Sequence, residues 1–464
     1  MKFFFQDRMP DMKKDKNKEQ KVVELDAFEQ INHNAAGIDV GAKEFYVAVP
    51  KGRDTQSVRV FLTFTADIHH LADWLAQCGV KTVALESTGV YWIPLYEILE
   101  QRGFEVYLVN ARHLKNVTGR KTDVLDCQWL QQLHTYGLLR ASFRPSEQIC
   151  AIRSLVRHRD MLVSYRSAHI QHMQKALTLM NVRLTNVLSD ITGVTGMKII
   201  RAILSGERNR KTLASYRDAK CAKTEEEIEK SLEGNYKLEH LFVLKQALEL
   251  YDFYDQQIKQ CDQELETLYN EFEEPDQPGT SAPEKRKRKR RKNQPNFDLS
   301  ESLYRMTGGI DLTKIEGLDA LTVQEILSET GTDVSKWPTV KHFCSWLCLA
   351  PNNKITGGKV KSSHTPHTQN RAANAFRIGA QSLMKSKSAL GAYCRRIAAL
   401  HDAPTAITAT AHKLATIFYF MLKRREAYRP LAADYYEKEH REKVVRSLQR
   451  RAATLGFRLE PTVS

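Results

Sequence analysis

The chain has 464 residues, 42% of them hydrophobic, which predicts about three domains with real cores and excludes a wholly disordered polymer. Seventy Lys plus Arg against 55 Asp plus Glu leave a net charge of +15, which favours a polyanionic partner because neutralised phosphates release counterions, without separating DNA from RNA or an acidic membrane surface. No stretch approaches the roughly 18 apolar residues of a membrane span, and Phe3-Phe4-Phe5 is too short for a signal peptide.

Residues 1–33 are charged and nearly aperiodic (Lys13, Lys14, Lys16, Lys18) and predict a mobile tail. Ala35 to Val40 predicts a short apolar strand turned by Gly41, with Glu44 to Val49 as its hairpin partner. Val58 to Phe64 alternates as a third strand, and Ile68 to Leu75 carries a helical stripe. Val83 to Leu85 is a buried strand ending at Glu86. A helix over about Trp92–Gln101, closed by Gly103, leads to a strand over Phe104–Val109. Three strands followed by alternating helix and strand predict a mixed-sheet α/β domain over 34–146, in the element order of the RNase H-like (RuvC-like) fold.

Residues 147–274 read as a helical or coiled-coil region. Leu241, Leu244, Leu248, Tyr251, Ile258, Leu265, Leu268 and Phe272 follow a 3-4 stripe that Asp255 and Asp262 interrupt, so the seam is weak. A dimerisation arm and an intramolecular helix pair both fit. Residues 275–297 form a linker with the unbroken run Lys285, Arg286, Lys287, Arg288, Lys289, Arg290, Arg291 and Lys292, read as a nucleic-acid tether with a simple spacer as the alternative. A mostly α C-terminal domain spans 298–430. Ile315-Glu316-Gly317-Leu318 before a helix at Thr322 to Thr330 fits either a phosphate-holding helix-hairpin-helix or an ordinary packing turn. Helices follow at about 371–387, 389–401 and 404–424, and 431–464 reads as a charged, peripheral tail.

Four carboxylates stand out by position. Asp39 ends the first strand in Gly-Ile-Asp-Val-Gly, Glu86 ends the fourth in Leu-Glu-Ser-Thr-Gly, and Asp123 and Asp126 lie three apart in Lys-Thr-Asp-Val-Leu-Asp. On a helix that spacing puts both on one face. Each alone also fits a turn former or a helix-dipole effect. Together they suit Mg²⁺, with Mn²⁺ as a substitute, since hard cations want clustered oxygens. Two such ions about 4 Å apart stabilise phosphoryl transfer. A second constellation runs from Pro351 to Ser363. Gly357 and Gly358 allow close backbone approach, Lys359 and Lys361 supply charge, and Thr356, Ser362 and Ser363 supply hydroxyls. An ordinary surface loop fits the same residues, although Arg371, Arg377 and Lys385 behind it add positive charge. The histidines, His69, His70, His364 and His367 among them, show no catalytic or zinc spacing. Eight cysteines, with Cys344 and Cys348 four apart and no CxxC, predict reduced structural thiols in a cytoplasmic protein.

These motifs resemble the insertion-sequence transposases of the DEDD class, the bridge-RNA-guided recombinases. The resemblance runs from about residue 35 to 425, interrupted by the basic linker. It is carried by Gly37–Lys43, Leu85–Gly89, Lys121–Asp126, Trp346–Pro351, Ile355–Lys359 and Asn370–Asn374. It implies a RuvC-like N-terminal domain, a coiled-coil region and a C-terminal transposase domain. It also implies a homo-dimer or tetramer acting on double-stranded element ends and target with a structured guide RNA, at the nucleoid. Asp39, Glu86, Asp123 and Asp126 match the acidic metal-binding tetrad. Thr356 falls where the family carries a nucleophilic Ser, with Ser362 and Ser363 as back-up nucleophiles. The basic run, Lys359, Lys361 and Arg371 are the expected nucleic-acid contacts. Two rival readings remain: a RuvC-type metal-dependent nuclease without a covalent intermediate, and a nucleic-acid-binding protein with a relic site.

Overall fold

The computed structural model describes residues 29–87, 89–110, 123–273, 293–430, 432 and 435–458. The basic run 285–292 and most of the N-terminal tail lie outside the described residues. The chain divides into two compact units, Met1–Arg144 and Pro145–Ser464.

The first unit is a five-stranded mixed sheet with helices on both faces. Its elements are β1 (Ala35–Val40), β2 (Glu44–Ala48), β3 (Val58–Leu62), α1 (Thr65–Gln77), β4 (Thr82–Glu86), α2 (Trp92–Gln101), β5 (Glu105–Val109) and α3 (Asp123–Thr135). The strand order is β3-β2-β1-β4-β5. β1–β2 and β2–β3 are antiparallel, whereas β1–β4 and β4–β5 are parallel. β1 and β2 are joined by the short turn 41–43 and β2 and β3 by the longer connection 49–57, whereas the parallel pairings require crossovers, which run through α1 and α2. Side chains alternate across each strand. Ile38, Val40, Phe45, Val47, Val83 and Leu85 therefore face Leu71, Leu75, Leu95 and Leu99 in the main core. The opposite face carries Gly37, Asp39, Tyr46, Ala84 and Glu86, and α3 packs along it against β1, β2 and β4. β3 is one edge of the sheet, with Val60 and Leu62 exposed.

The second unit opens with α4 (Glu147–Leu179) and closes its first part with α9 (Leu238–Asn270), helices of 33 residues each. They pack as an antiparallel pair, so the two helices that the stripe predicted do combine within the chain. The interruptions in the stripe have a physical reason. Asp262 meets Arg159 at 2.5 Å and Asp255 meets Arg166 at 2.5 Å, across the helix pair. Both arginines also hold the chain after the basic run, through the Asn293 carbonyl and side chain. Between α4 and α9 lie α5 (Leu184–Val187), α6 (Val194–Leu204), α7 (Arg210–Ser215) and α8 (Glu225–Ser231). They form a cap with its own core around Met180, Ile199, Ile203 and Leu213.

The C-terminal part contains α10 (Leu299–Met306), α11 (Ala320–Thr330), α12 (Val340–Trp346), a β6–β7 hairpin (Lys354–Thr356, Lys359–Ser362), α13 (Arg371–Ser382), α14 (Ala389–Leu400), α15 (Ala403–Arg424) and α16 (Tyr435–Thr454). Phe343, Phe376, Phe418 and Tyr419 form its buried aromatic centre. Gly317 has φ +87°, and a Cβ there would stand 2.8 Å from the Gly379 carbonyl. The Ile315–Leu318 turn thus packs closely against α13. α16 occupies most of the expected charged tail; its polar composition hid it, and it is fastened by Tyr436 against Tyr393 and Lys413.

Arg159 and Asp262 are 4% and 2% exposed, so removing one partner strands a buried charge. Arg159→Ala is expected to destabilise the second unit by about 3–5 kcal/mol, whereas Arg159→Met with Asp262→Leu recovers most of that loss. Urea unfolding followed by circular dichroism measures both.

Candidate metal centre

The site begins with alternation along β1. Burying Ile38 in the main core turns Gly37 and Asp39 to the other face, beneath α3. A Cβ on Gly37 would stand 2.3 Å from the Gln131 amide nitrogen and 2.4 Å from the Cys127 carbonyl oxygen. Only glycine lets the α3 backbone come this close to β1. The far end of α3 is fixed separately. The His134 ring, 1% exposed, meets the Thr82 hydroxyl at 2.8 Å, and the Asn32 amide donates to the His134 carbonyl at 2.7 Å. Burial pushes the His134 pKa down to about 4, so the ring is neutral and structural.

With α3 held at both points, its first turn reaches the C-terminal end of β1. One carboxylate oxygen each from Asp39, Asp123 and Asp126 lie within 4.8 Å of one another. Glu86 ends β4 beside Asp39, one residue past the Ile38–Leu85 pairing. It stands outside that 4.8 Å group. Asp39 is half-buried, and its pKa is pushed up to about 6, first by burial and then by the negative charges of Glu86, Asp123 and Asp126, in that order. The amide of Val40 offsets this in part. Mutually repelling, hard oxygen donors are the kind of set that a divalent ion would relieve. Burial and Asp39 push the neighbouring Cys127 thiol up to about 12, which leaves it inert.

Comparison with known families adds to this geometry. Residues 36–182 match the model of the DEDD IS110 transposases, and residues 311–395 match the model described as the transposase IS116/IS110/IS902 family. The chain belongs to the IS110 family of transposases. No curated protein matches the chain. The transposase carries all four acids of the expected tetrad in its first unit, and three of them form the close group.

The remaining predicted residues lie in the second unit. Thr356 ends β6, pairs with Lys359 across the hairpin and is exposed, as are Lys361 and Ser363; Ser362 is half-buried. Gly357 and Gly358 have φ of +56° and +74° and make the two-residue turn that a tight hairpin needs, where a loop was expected. The Arg371 guanidinium is engaged by Asp160 at 3.1 Å, so this expected nucleic-acid contact is partly spent on an internal ion pair. Among the described residues no helix is long and apolar enough to cross a membrane, and all eight cysteines are free.

Two features of the transposase escaped the sequence. Gly37 reads as part of a motif, and its role emerges only with α3 above it. Tyr46 lies opposite Asp39 in the β1–β2 register, and its hydroxyl donates to Glu44 at 3.0 Å. Its alternation with Phe45 and Val47 was the available signal.

Gly37→Ala is expected to lift α3, lowering stability by about 1–3 kcal/mol and weakening Mn²⁺ binding measured by calorimetry. Folding raises the Asp39 pKa above its ordinary 3.8, so its contribution favours the fold at acid pH and is lost as pH rises through about 6. Asp39→Asn is therefore expected to stabilise the metal-free protein at pH 8 by on the order of 1 kcal/mol, after allowance for solvent screening, and by much less near pH 4. Melting in chelator at both pH values checks this.

Proposed function

We propose that this transposase cuts and rejoins double-stranded DNA through an RNase H-like unit bearing a Mg²⁺-binding Asp39, Glu86, Asp123 and Asp126 site, with Thr356 as the attacking hydroxyl. The observation that carries the reading is the gathering of Asp39, Asp123 and Asp126 within 4.8 Å from the two ends of the first unit's sheet-and-helix chain. The strand order and directions, an antiparallel β3-β2-β1 ribbon continued by parallel β4 and β5, support the RNase H-like assignment.

Asp39, Asp123 and Asp126 would hold the ion with Glu86 beside them, and Mn²⁺ suits the same oxygens. A divalent cation there supplies Lewis-acid stabilisation of the charge that develops on the phosphoryl oxygens. Gly37 and the His134–Thr82 contact orient the acids by fixing α3. The Thr356 oxygen forms a bond to phosphorus as the bond from phosphorus to a deoxyribose oxygen breaks. The threonine proton passes to solvent, and the released sugar hydroxyl takes one up. Religation reverses these changes. The threonine methyl crowds this attack relative to serine, so Thr356→Ser is the informative replacement.

The proposed domains are the catalytic domain 34–146, the helical region 147–274, the linker 275–297 and the transposase domain 298–430. The basic linker and the lysines of the hairpin suit phosphate contact, and a structured bridge RNA and a dimer or tetramer complete the reading. Sequencing RNA that co-purifies with the protein tests the guide: a discrete transcript from beside the gene supports it, and bulk cellular RNA alone rejects it.

With Mg²⁺ and DNA spanning the element ends, a denaturing gel is expected to show a covalent protein–DNA adduct. Thr356→Ala should abolish the adduct while DNA binding persists, and Thr356→Ser should form it faster. Asp123→Asn should slow strand cleavage at least about a hundredfold, the loss of a few kcal/mol of charge stabilisation. Free ends without any adduct would replace this reading with hydrolysis.

A further inference from the structure

The charge excess is unevenly placed. From Val334 to His401 the chain has eleven basic side chains and no carboxylate. Several of these cations serve the fold: Arg377 donates to the Cys348 carbonyl, Arg396 to the Tyr436 carbonyl, and Arg371 pairs with Asp160. Lys354, Lys359 and Lys361 do not. They stand exposed on the β6–β7 ribbon.

The ribbon is also apolar where nothing covers it. Ile355 and Val360 are cross-strand partners, 61% and 57% exposed, on one face, while Thr356 and Lys359 pair on the other. Its base is closed by the Asn352 amide donating to the His364 carbonyl at 3.1 Å. A register shift beside Ile355 leaves Lys361 as an extra residue, which sharpens the twist. The tip is Gly357-Gly358, with no side chain to stop a close approach.

We propose that the β6–β7 ribbon enters the major groove of duplex DNA tip first, with Thr356 and Lys359 facing the backbone of one strand and Ile355 and Val360 against the opposite groove wall. Size selects the groove. A ribbon with side chains on both faces is about 10 Å thick, which fits the roughly 12 Å major groove and not the roughly 6 Å minor groove. Charge selects the partner, since three lysines in an acid-free segment complement phosphates. The apolar pair has thymine methyls and sugar carbons to meet there. This entry turns Thr356 towards a backbone, as its proposed attack requires. The inference rests on the reading that the protein acts on duplex DNA, and deepens it.

Binding of the full-length protein to a short fluorescent duplex of mixed sequence, in chelator so that no strand is cut, tests the ribbon apart from the chemistry. Ile355→Ser with Val360→Ser is expected to weaken binding roughly tenfold with the salt dependence unchanged. Lys354→Ala, Lys359→Ala and Lys361→Ala together should lower the slope of log affinity against log salt by about 2.7. Methyl green, a major-groove ligand, should displace the protein, and netropsin, a minor-groove ligand, should not. Unchanged binding by the apolar variant, displacement by netropsin alone, or equal competition by an A-form RNA duplex, whose deep groove excludes side chains, overturns the proposal. If the serine pair lowers the melting temperature, Ile355→Thr with Val360→Thr replaces it, and a wild-type affinity there has the same force. Loss of the covalent adduct from wild type with these binding results intact would reject the proposed nucleophile and leave the ribbon standing.

Discussion

The close contact between α3 and β1 is the constraint on which the first unit depends. Two backbones approach to a distance that no side chain larger than hydrogen permits at residue 37, and the helix start is thereby brought to the strand end. The gain is positional. Asp123 and Asp126 come from the first turn of a helix and Asp39 from the end of a strand. The buried His134–Thr82 contact fixes the other end of α3, so the acidic turn cannot pivot freely.

The cost of this arrangement is electrostatic. Like charges held close in a half-buried place add to burial in raising the pKa of Asp39. The main core of Ile38, Val47, Leu71, Leu85 and Leu99 lies on the other face of the sheet and is buried.

The second unit handles charge in the opposite way. Asp255 and Asp262 face α4 from α9, Asp262 held by Arg159 and Asp255 shared by Arg166 and Lys259. A buried pair such as Arg159–Asp262 contributes little net stability, although losing one partner is costly. Arg159 and Arg166 also reach past the helices to Asn293, so the chain leaving the linker is tied to the same two arginines.

Much of the first unit was readable before any coordinates, since β1 and α2 fall where alternation and helical spacing put them and β2, β3, β4 and β5 differ by a residue or two at their ends. Local pattern sets these because burying one face of a strand or helix is a local requirement. Motif and spacing single out four acids, of which Asp39, Asp123 and Asp126 gather, and the stripe of α9 was legible in the same way. Three things were not. The role of Gly37 depends on what lies above it, the Asp partners in α9 come from a helix about a hundred residues away, and α16 lacks the apolar periodicity that announces a helix. In each case the deciding contact joins residues distant in the chain, and composition or spacing within a short window carries no record of it.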